Sequence, residues 1–161
     1  MKIIKIVGDN YFGHYDKTRV ACRALVIKED RVLISYEKNV DLYMLPGGGC
    51  EEGETSKECV IREVEEETGN IITVGDPILE IDEYYENEKY ITYYFCGNIV
   101  GQGKQRLTEG ETRDGMEPLW MKLDEIKAIF AKHESYRNIW EEKRGLYLRE
   151  YTALENISIE Y

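Results

Sequence analysis

Gly47-Gly48-Gly49-Cys50-Glu51-Glu52-Gly53-Glu54-Thr55-Ser56-Lys57-Glu58-Cys59-Val60-Ile61-Arg62-Glu63-Val64-Glu65-Glu66-Glu67-Thr68-Gly69 is the stretch on which the reading of this chain turns. Three glycines open it. The capping-box spacing Thr55-x-x-Glu58 predicts a helix start, and Gly69 stands where a left-handed residue would close that helix. At about 100° per residue, Glu67 falls about 40° to one side of Glu63 and Glu66 about 60° to the other, so three carboxylates share one stripe. Val60, Ile61 and Val64 form a neighbouring stripe suited to a core. Glu63 and Glu67 are like charges at i,i+4, and Arg62 alone supplies a positive neighbour on that side, one turn before Glu66.

Two such charges about 5.5 Å apart repel by under about 1 kcal/mol in water, but by roughly 3 kcal/mol at an effective dielectric near 20. On an open surface the stripe is an ordinary solvated acidic face; in a cleft it requires a cation, and the glycines ahead of the helix favour a cleft. Carboxylate oxygens are hard donors that select Mg²⁺, Mn²⁺ or Ca²⁺ over zinc. A glycine-rich loop entering a helix lets backbone groups approach a metal or a phosphate closely.

Around this segment, residues 20–28 and 31–36 are β-rich runs that predict a hairpin turning at Glu29-Asp30. Residues 42–45 form a short strand stopped by Pro46. Residues 78–86 and 89–99 form a second strand pair, rich in Ile, Tyr and Phe, turning at Glu86-Asn87-Glu88. Residues 101–115 are polar and glycine-containing, which reads as a long loop. A short strand at 119–121 follows, then a helix capped by Asp124 and running to about residue 132. Over residues 135–156, Trp140, Tyr147, Tyr151 and Leu154 mark one face of an amphipathic helix, interrupted or kinked near Gly145 and packed on the rest of the chain. Without repeats or linkers, residues 1–161 read as a single domain.

Composition narrows the function classes. The 161 residues carry 21 Lys plus Arg against 32 Asp plus Glu, a formal net charge of −11. That balance argues against sequence-independent nucleic-acid binding through a basic surface, and no nucleic-acid polymer is expected as partner. Small phosphorylated ligands remain open if a cation mediates. The cysteines Cys22, Cys50, Cys59 and Cys96 show no C-x-x-C spacing, and His14 and His133 are the only histidines, which argues against a tetrahedral zinc site. No apolar run approaches the roughly 18 residues of a membrane helix. A soluble cytoplasmic protein is the expectation, as monomer or homodimer.

The spacing Gly48, five residues, Glu54, seven residues, then Arg62-Glu63-Val64-Glu65-Glu66-Glu67-Thr68-Gly69 resembles the signature box of the MutT-like Nudix hydrolases. Every fixed polar and glycine position of the box is present. The final, normally aliphatic position is Asn70, with Ile71 directly after it. Cys59 stands where the family usually has a small alanine, and reads as tight packing. The motif spans residues 48–70, and the order of strands and helices suits the family over about residues 19–132.

The resemblance implies an α+β fold, a three-layer α/β/α sandwich around a central mixed sheet. It further implies Mg²⁺, or Mn²⁺, held by Glu63, Glu66 and Glu67 with the Gly47 carbonyl as a further ligand. Arg62 would orient a box glutamate, and Glu54 would steady the loop–helix junction or pair with Arg62. Family members hydrolyse a nucleoside diphosphate linked to another group by attack of water on phosphorus, with metal ions as Lewis acids. A nucleoside triphosphate or an ADP-ribose-like nucleotide sugar is the implied substrate. Glu63 is the first choice as general base; Glu109, Glu111, Asp114 and Glu117 in the later acidic segment are the alternatives. The competing function is a non-catalytic module that senses a nucleotide or nucleotide sugar. Such a module would be expected to lose box glutamates, and here none is lost.

Overall fold

The strand Lys17–Lys28 alternates its side chains between two cores, and the rest of the fold is arranged about that alternation. A computed structural model describes residues 1–159; the last two residues of the span expected to form one domain lie outside the described residues. In chain order the elements are β1 (Lys2–Val7), β2 (Lys17–Lys28), β3 (Arg31–Glu37), β4 (Leu42–Met44), β5 (Gly47–Gly49), α1 (Ser56–Thr68), β6 (Asn70–Val74), β7 (Leu79–Tyr85), β8 (Glu88–Gln102), α2 (Glu109–Asp114), β9 (Met116–Lys122), α3 (Leu123–Phe130), a 3₁₀ turn (His133–Tyr136) and α4 (Glu141–Asn156).

The sheet runs β1-β7-β8-β2-β3-β4, with β5 added to β2, β6 to β8 and β9 to β3. It is mixed: β1 pairs β7 and β2 pairs β8 in parallel, while the other pairs are antiparallel. Cys22, Ala24 and Val26 of β2, Leu33 of β3 and Phe95 of β8 face α1, where Cys59, Val60 and Val64 cover them. Leu25, Val32, Ile34 and Tyr94 face the other way, under Ile126 and Phe130 of α3 and Tyr147 and Leu154 of α4. Helices therefore lie on both faces, and the α+β sandwich expected from the sequence is the fold. The β2–β3 hairpin turns at Glu29-Asp30 as expected, with Glu29 at φ +58°. The helix expected from Thr55 to Gly69 is α1, with both halves of the capping box made and Gly69 left-handed at φ +76°.

Several local expectations are corrected. The three glycines do not form a free loop: they pair with β2 as β5, Gly47 opposite Arg23 and Gly49 opposite Ala21. Residues 101–115 are not a long loop, because β8 continues to Gln102 and a second capping box, Thr108 with Glu111, starts the short helix α2. After Gly69 closes α1 as expected, Asn70 and Ile71 begin β6, paired with the end of β8. Asp124 is not the cap of α3 but lies in its first turn, after Lys122. In the C-terminal segment the interruption falls at residues 137–140, where Asn138 takes φ +60°, and α4 runs unbroken through Gly145. Trp140 precedes that helix and is not on its face. Tyr147 and Leu154 are buried against the sheet, as expected.

Candidate active site

α1 is held to the sheet by Cys59, Val60 and Val64, and this turns its glutamate stripe toward the β5 edge. The glycines there are required by close approach. A side-chain carbon on Gly48 would sit 2.6 Å from the carboxyl carbon of Glu63, and one on Gly47 would collide with the Cys22 carbonyl. Glu63, Glu66, Glu67, Gly47 and Gly48 consequently line one cavity of about 380 Å³, together with Arg23, Glu37, Arg62 and Glu111.

Arg62 spends all its donors on this site. Its Nε and Nη2 hold the two oxygens of Glu54 at 2.7 and 3.0 Å, and Nη2 also donates to the Gly49 carbonyl at 3.1 Å. Its Nη1 bridges Glu63 Oε1 at 2.8 Å and Glu66 Oε2 at 3.1 Å. The fork holds the Glu54 carboxyl well down, at about 2. Glu63 Oε2 and Glu66 Oε1 are left without a hydrogen bond among the described residues. Glu67 is only 2% exposed. It accepts from Ser35 Oγ at 2.7 Å and from the Gly47 N–H at 3.3 Å. Burial pushes its carboxyl up to about 8, against the pull of Arg23 and Ser35.

Several carboxylates thus converge on one shared guanidinium, and no lysine among the described residues pairs with Glu63, Glu66 or Glu67. A hard divalent cation fits such a donor set. Gly47 lines the cavity, and its carbonyl already accepts from Arg23 Nη1 at 3.2 Å, which leaves it one lone pair for any further partner.

The family model for the NUDIX domain matches residues 17–142. The chain belongs to the Nudix family. Its similarity to a putative ADP-ribose pyrophosphatase of Bacillus subtilis is 26% identity over 118 residues, covering 72% of this chain and 55% of that one. An ADP-ribose pyrophosphatase of Methanocaldococcus jannaschii is 38% identical over 73 residues, 44% of this chain and 43% of the relative. An NAD-capped RNA hydrolase of Photobacterium profundum is 32% identical over 140 residues, 83% and 49%. The chain spans about half the length of these curated relatives. Among solved structures, a NUDIX hydrolase from Nitrosomonas europaea superposes with a TM-score of 0.60 at 21% identity, covering 89% of this chain and 97% of that one.

Of the four later acids of the Nudix chain, the fold brings only Glu111 to the cavity. Its Oε1 caps α2 by accepting from Thr108 N at 2.9 Å. Glu109 does not line the cavity, Asp114 pairs with Arg113 at 3.2 Å, and Glu117 lies 3.8 Å from Lys38 on the outer side of β9. Sequence reasoning missed three residues of the site. Ser35 and Glu37 lie on β3, far from the box in sequence. Burial and the neighbouring Asp114 push the Glu37 carboxyl up to about 7. Arg23 is the third, and one signal could have found it: it is the lone charge within the apolar run 20–27 of a strand that becomes central.

Arg23 also lines a second cavity of about 400 Å³, between β7, β8 and the start of α4, with Tyr85, Tyr90, Arg144, Leu146 and Arg149. The buried Arg23 Nε and Arg149 Nη2 have no hydrogen-bond partner among the described residues. Both arginines line this cavity, and Arg23 is the residue it shares with the cavity of the box carboxylates.

Proposed function

We propose that the protein is a divalent-cation-dependent hydrolase that splits the phosphoanhydride of a nucleoside diphosphate linked to another group, with ADP-ribose-like nucleotide sugars as the leading substrate class. The observation that carries this reading is the convergence of Glu63, Glu66 and Glu67 beside Gly47 and Gly48, with Arg62 as their shared guanidinium partner. Glu63, Glu66 and Glu67 would hold Mg²⁺, or Mn²⁺, with the Gly47 carbonyl as a further donor. The cation supplies Lewis-acid polarisation of the phosphoryl oxygens and offsets their charge.

The chain's own residues do the rest. Arg62 fixes the rotamers of Glu63 and Glu66, and Glu54 in turn fixes Arg62. Ser35 and the Gly47 N–H orient Glu67. Arg23, which borders both cavities, sets its guanidinium charge beside a phosphoryl group, and the organic end of the substrate lies against Tyr85 and Tyr90. Glu63 Oε2 takes the proton of the attacking water; the water oxygen bonds to phosphorus, and the bridging oxygen leaves with the other phosphate. Two phosphate monoesters result. Two similar relatives named as ADP-ribose pyrophosphatases, one of them putatively, support testing that substrate first.

The test is product formation from ADP-ribose, other nucleotide sugars, nucleoside triphosphates and dinucleoside polyphosphates, with and without Mg²⁺. Turnover that requires the cation is expected. Folded protein that binds one of these ligands but turns none over would convert the reading to that of a sensor.

A further inference from the structure

Behind the glycines the fold assembles a second group of metal-binding atoms, of a different chemical kind. Cys22, Cys50 and Cys59 are free thiols whose sulfur atoms all lie within 4.8 Å of one another. The Cys22 and Cys50 sulfurs are 3.4 Å apart. Three sequence-distant positions meet for a topological reason. Cys22 is paired with Gly48, and the Cys50 N–H continues that ladder to the Val20 carbonyl, so residues 22 and 50 share the α1 face of the sheet. Cys59 descends on them from the buried side of α1, its sulfur 3.6 Å from the Gly48 carbonyl.

We propose that these three thiols form a binding site for a soft cation of low coordination number, of the Cu(I) class. Thiolate sulfur selects such ions, whereas the carboxylates on the other side of Gly48 select hard ones. Zinc in a closed protein site takes four ligands. Among the described residues a fourth is missing: Cys96 is exposed on β8, and both oxygens of the neighbouring Glu54 are held by Arg62. An ion has a route in. Cys22 and Cys59 are buried, but Cys50 lines a surface cavity with Glu51, Glu52 and Glu54 against one cation, Arg19, a net negative lining that favours cations.

Burial raises the Cys50 thiol to about 12, and a hydrogen bond with Cys22 together with burial raises Cys59 above its ordinary range, so without an ion these two sulfurs stay protonated. That makes them poor nucleophiles toward oxidants and alkylating agents. Each thiol that coordinates gives up its proton to solvent as the ion enters, so loading is accompanied by acid release. The binding stands apart from the hydrolase reading and is measured without substrate.

The experiment titrates Cu(I) into the reduced, anaerobic protein against the chromophoric chelator bicinchoninate. One equivalent per chain is expected to be withdrawn from the chelator, with protons released, and X-ray absorption is expected to show sulfur-only coordination. Cys50→Ser, the change at the least buried of the three, is expected to weaken binding by at least about 100-fold while the circular-dichroism melt is retained. Cys22→Ala and Cys59→Ala should weaken it similarly, and Cys96→Ser should leave it unchanged. The proposal is overturned if no copper is withdrawn, if folded Cys50→Ser competes as well as the native chain, or if the bound equivalent disappears with Cys96.

Discussion

The two faces of the sheet both bury glutamate, in opposite ways. On the α4 face, Glu150 is fully buried and fully partnered: it accepts from the Leu45 N–H at 2.8 Å, from the Tyr94 hydroxyl at 2.7 Å and from Arg149 Nε at 3.3 Å. Its needs are met within the chain, so it serves as a structural joint between α4, β8 and the segment after β4. On the α1 face, Glu63 and Glu66 share a single guanidinium nitrogen, and the buried Glu67 has only a hydroxyl and a distant amide. The difference separates carboxylates that complete a fold from carboxylates whose charge the chain itself leaves partly unmatched. The joint also supports the site, because the Leu45 amide it holds lies two residues before Gly47. Most of α4 lies beyond residue 142, where the family match ends, so the site is braced from outside the matched region.

Substitutions at the two kinds of glutamate should therefore fail in different assays. Glu63→Gln is expected to cut turnover by about 10³-fold, near 4 kcal/mol, with the melting temperature unchanged within a few degrees. Steady-state kinetics beside a thermal melt would check this, and native-like turnover would remove Glu63 from the machinery. Glu150→Ala should instead strand an amide, a hydroxyl and a guanidinium in the interior, destabilising the fold by about 3 kcal/mol. Urea denaturation measures that loss, and kcat per folded molecule should fall far less than for Glu63→Gln.

Glu67 belongs to both descriptions, and replacing it should act on stability in the opposite direction to replacing Glu150. The unfolded chain ionises this carboxyl in the ordinary range, whereas the folded, cation-free protein holds its proton up to about 8. The folded state then binds more protons between those values, so stability falls as pH rises from about 5 to about 8. Glu67→Gln removes that slope and is expected to stabilise the cation-free protein at pH 8 by about 1 kcal/mol while abolishing turnover. Saturating Mg²⁺ should raise the melting temperature of the native chain and not of the variant; equal shifts in both would take Glu67 out of the ligand set.

What the sequence disclosed follows the range of the interactions involved. The capping box, the glutamate stripe and Gly69 act within one or two helical turns, so spacing alone exposes them. Arg23, Ser35 and Glu37 reach the site through strand pairing across sequence distances that no local pattern encodes. The thiol cluster is hidden for the same reason, since 22, 50 and 59 show no spacing that a zinc motif would have. β1 is a parallel edge strand on β7, a partner more than 70 residues away, and its short run Ile3, Ile4, Ile6 and Val7, broken by Lys5, shows no clean alternation. Gly47–Gly49 resisted reading because glycine is depleted in strands, and only the close approach to Cys22 and Glu63 explains why it pairs here. Gly145 misled in the other direction: a glycine inside a helix is a modest cost that packing of Tyr147 and Leu154 overrides.

The smallest expected effect concerns Glu54, the one box carboxylate whose charge is fully matched. Arg62 holds its ionisation down to about 2, below the unfolded value. Its contribution to stability is therefore complete above about pH 5 and lost as pH falls toward 2, because the unfolded state takes up the proton first. Solvent at the rim of the cavity screens the pair, so Glu54→Gln should cost under about 1 kcal/mol at neutral pH and nothing near pH 2. Acid unfolding of the two proteins, followed by circular dichroism, should give curves that converge at low pH. If they stayed parallel, Glu54 would be acting through packing at the loop–helix junction and not through the charge it shares with Arg62.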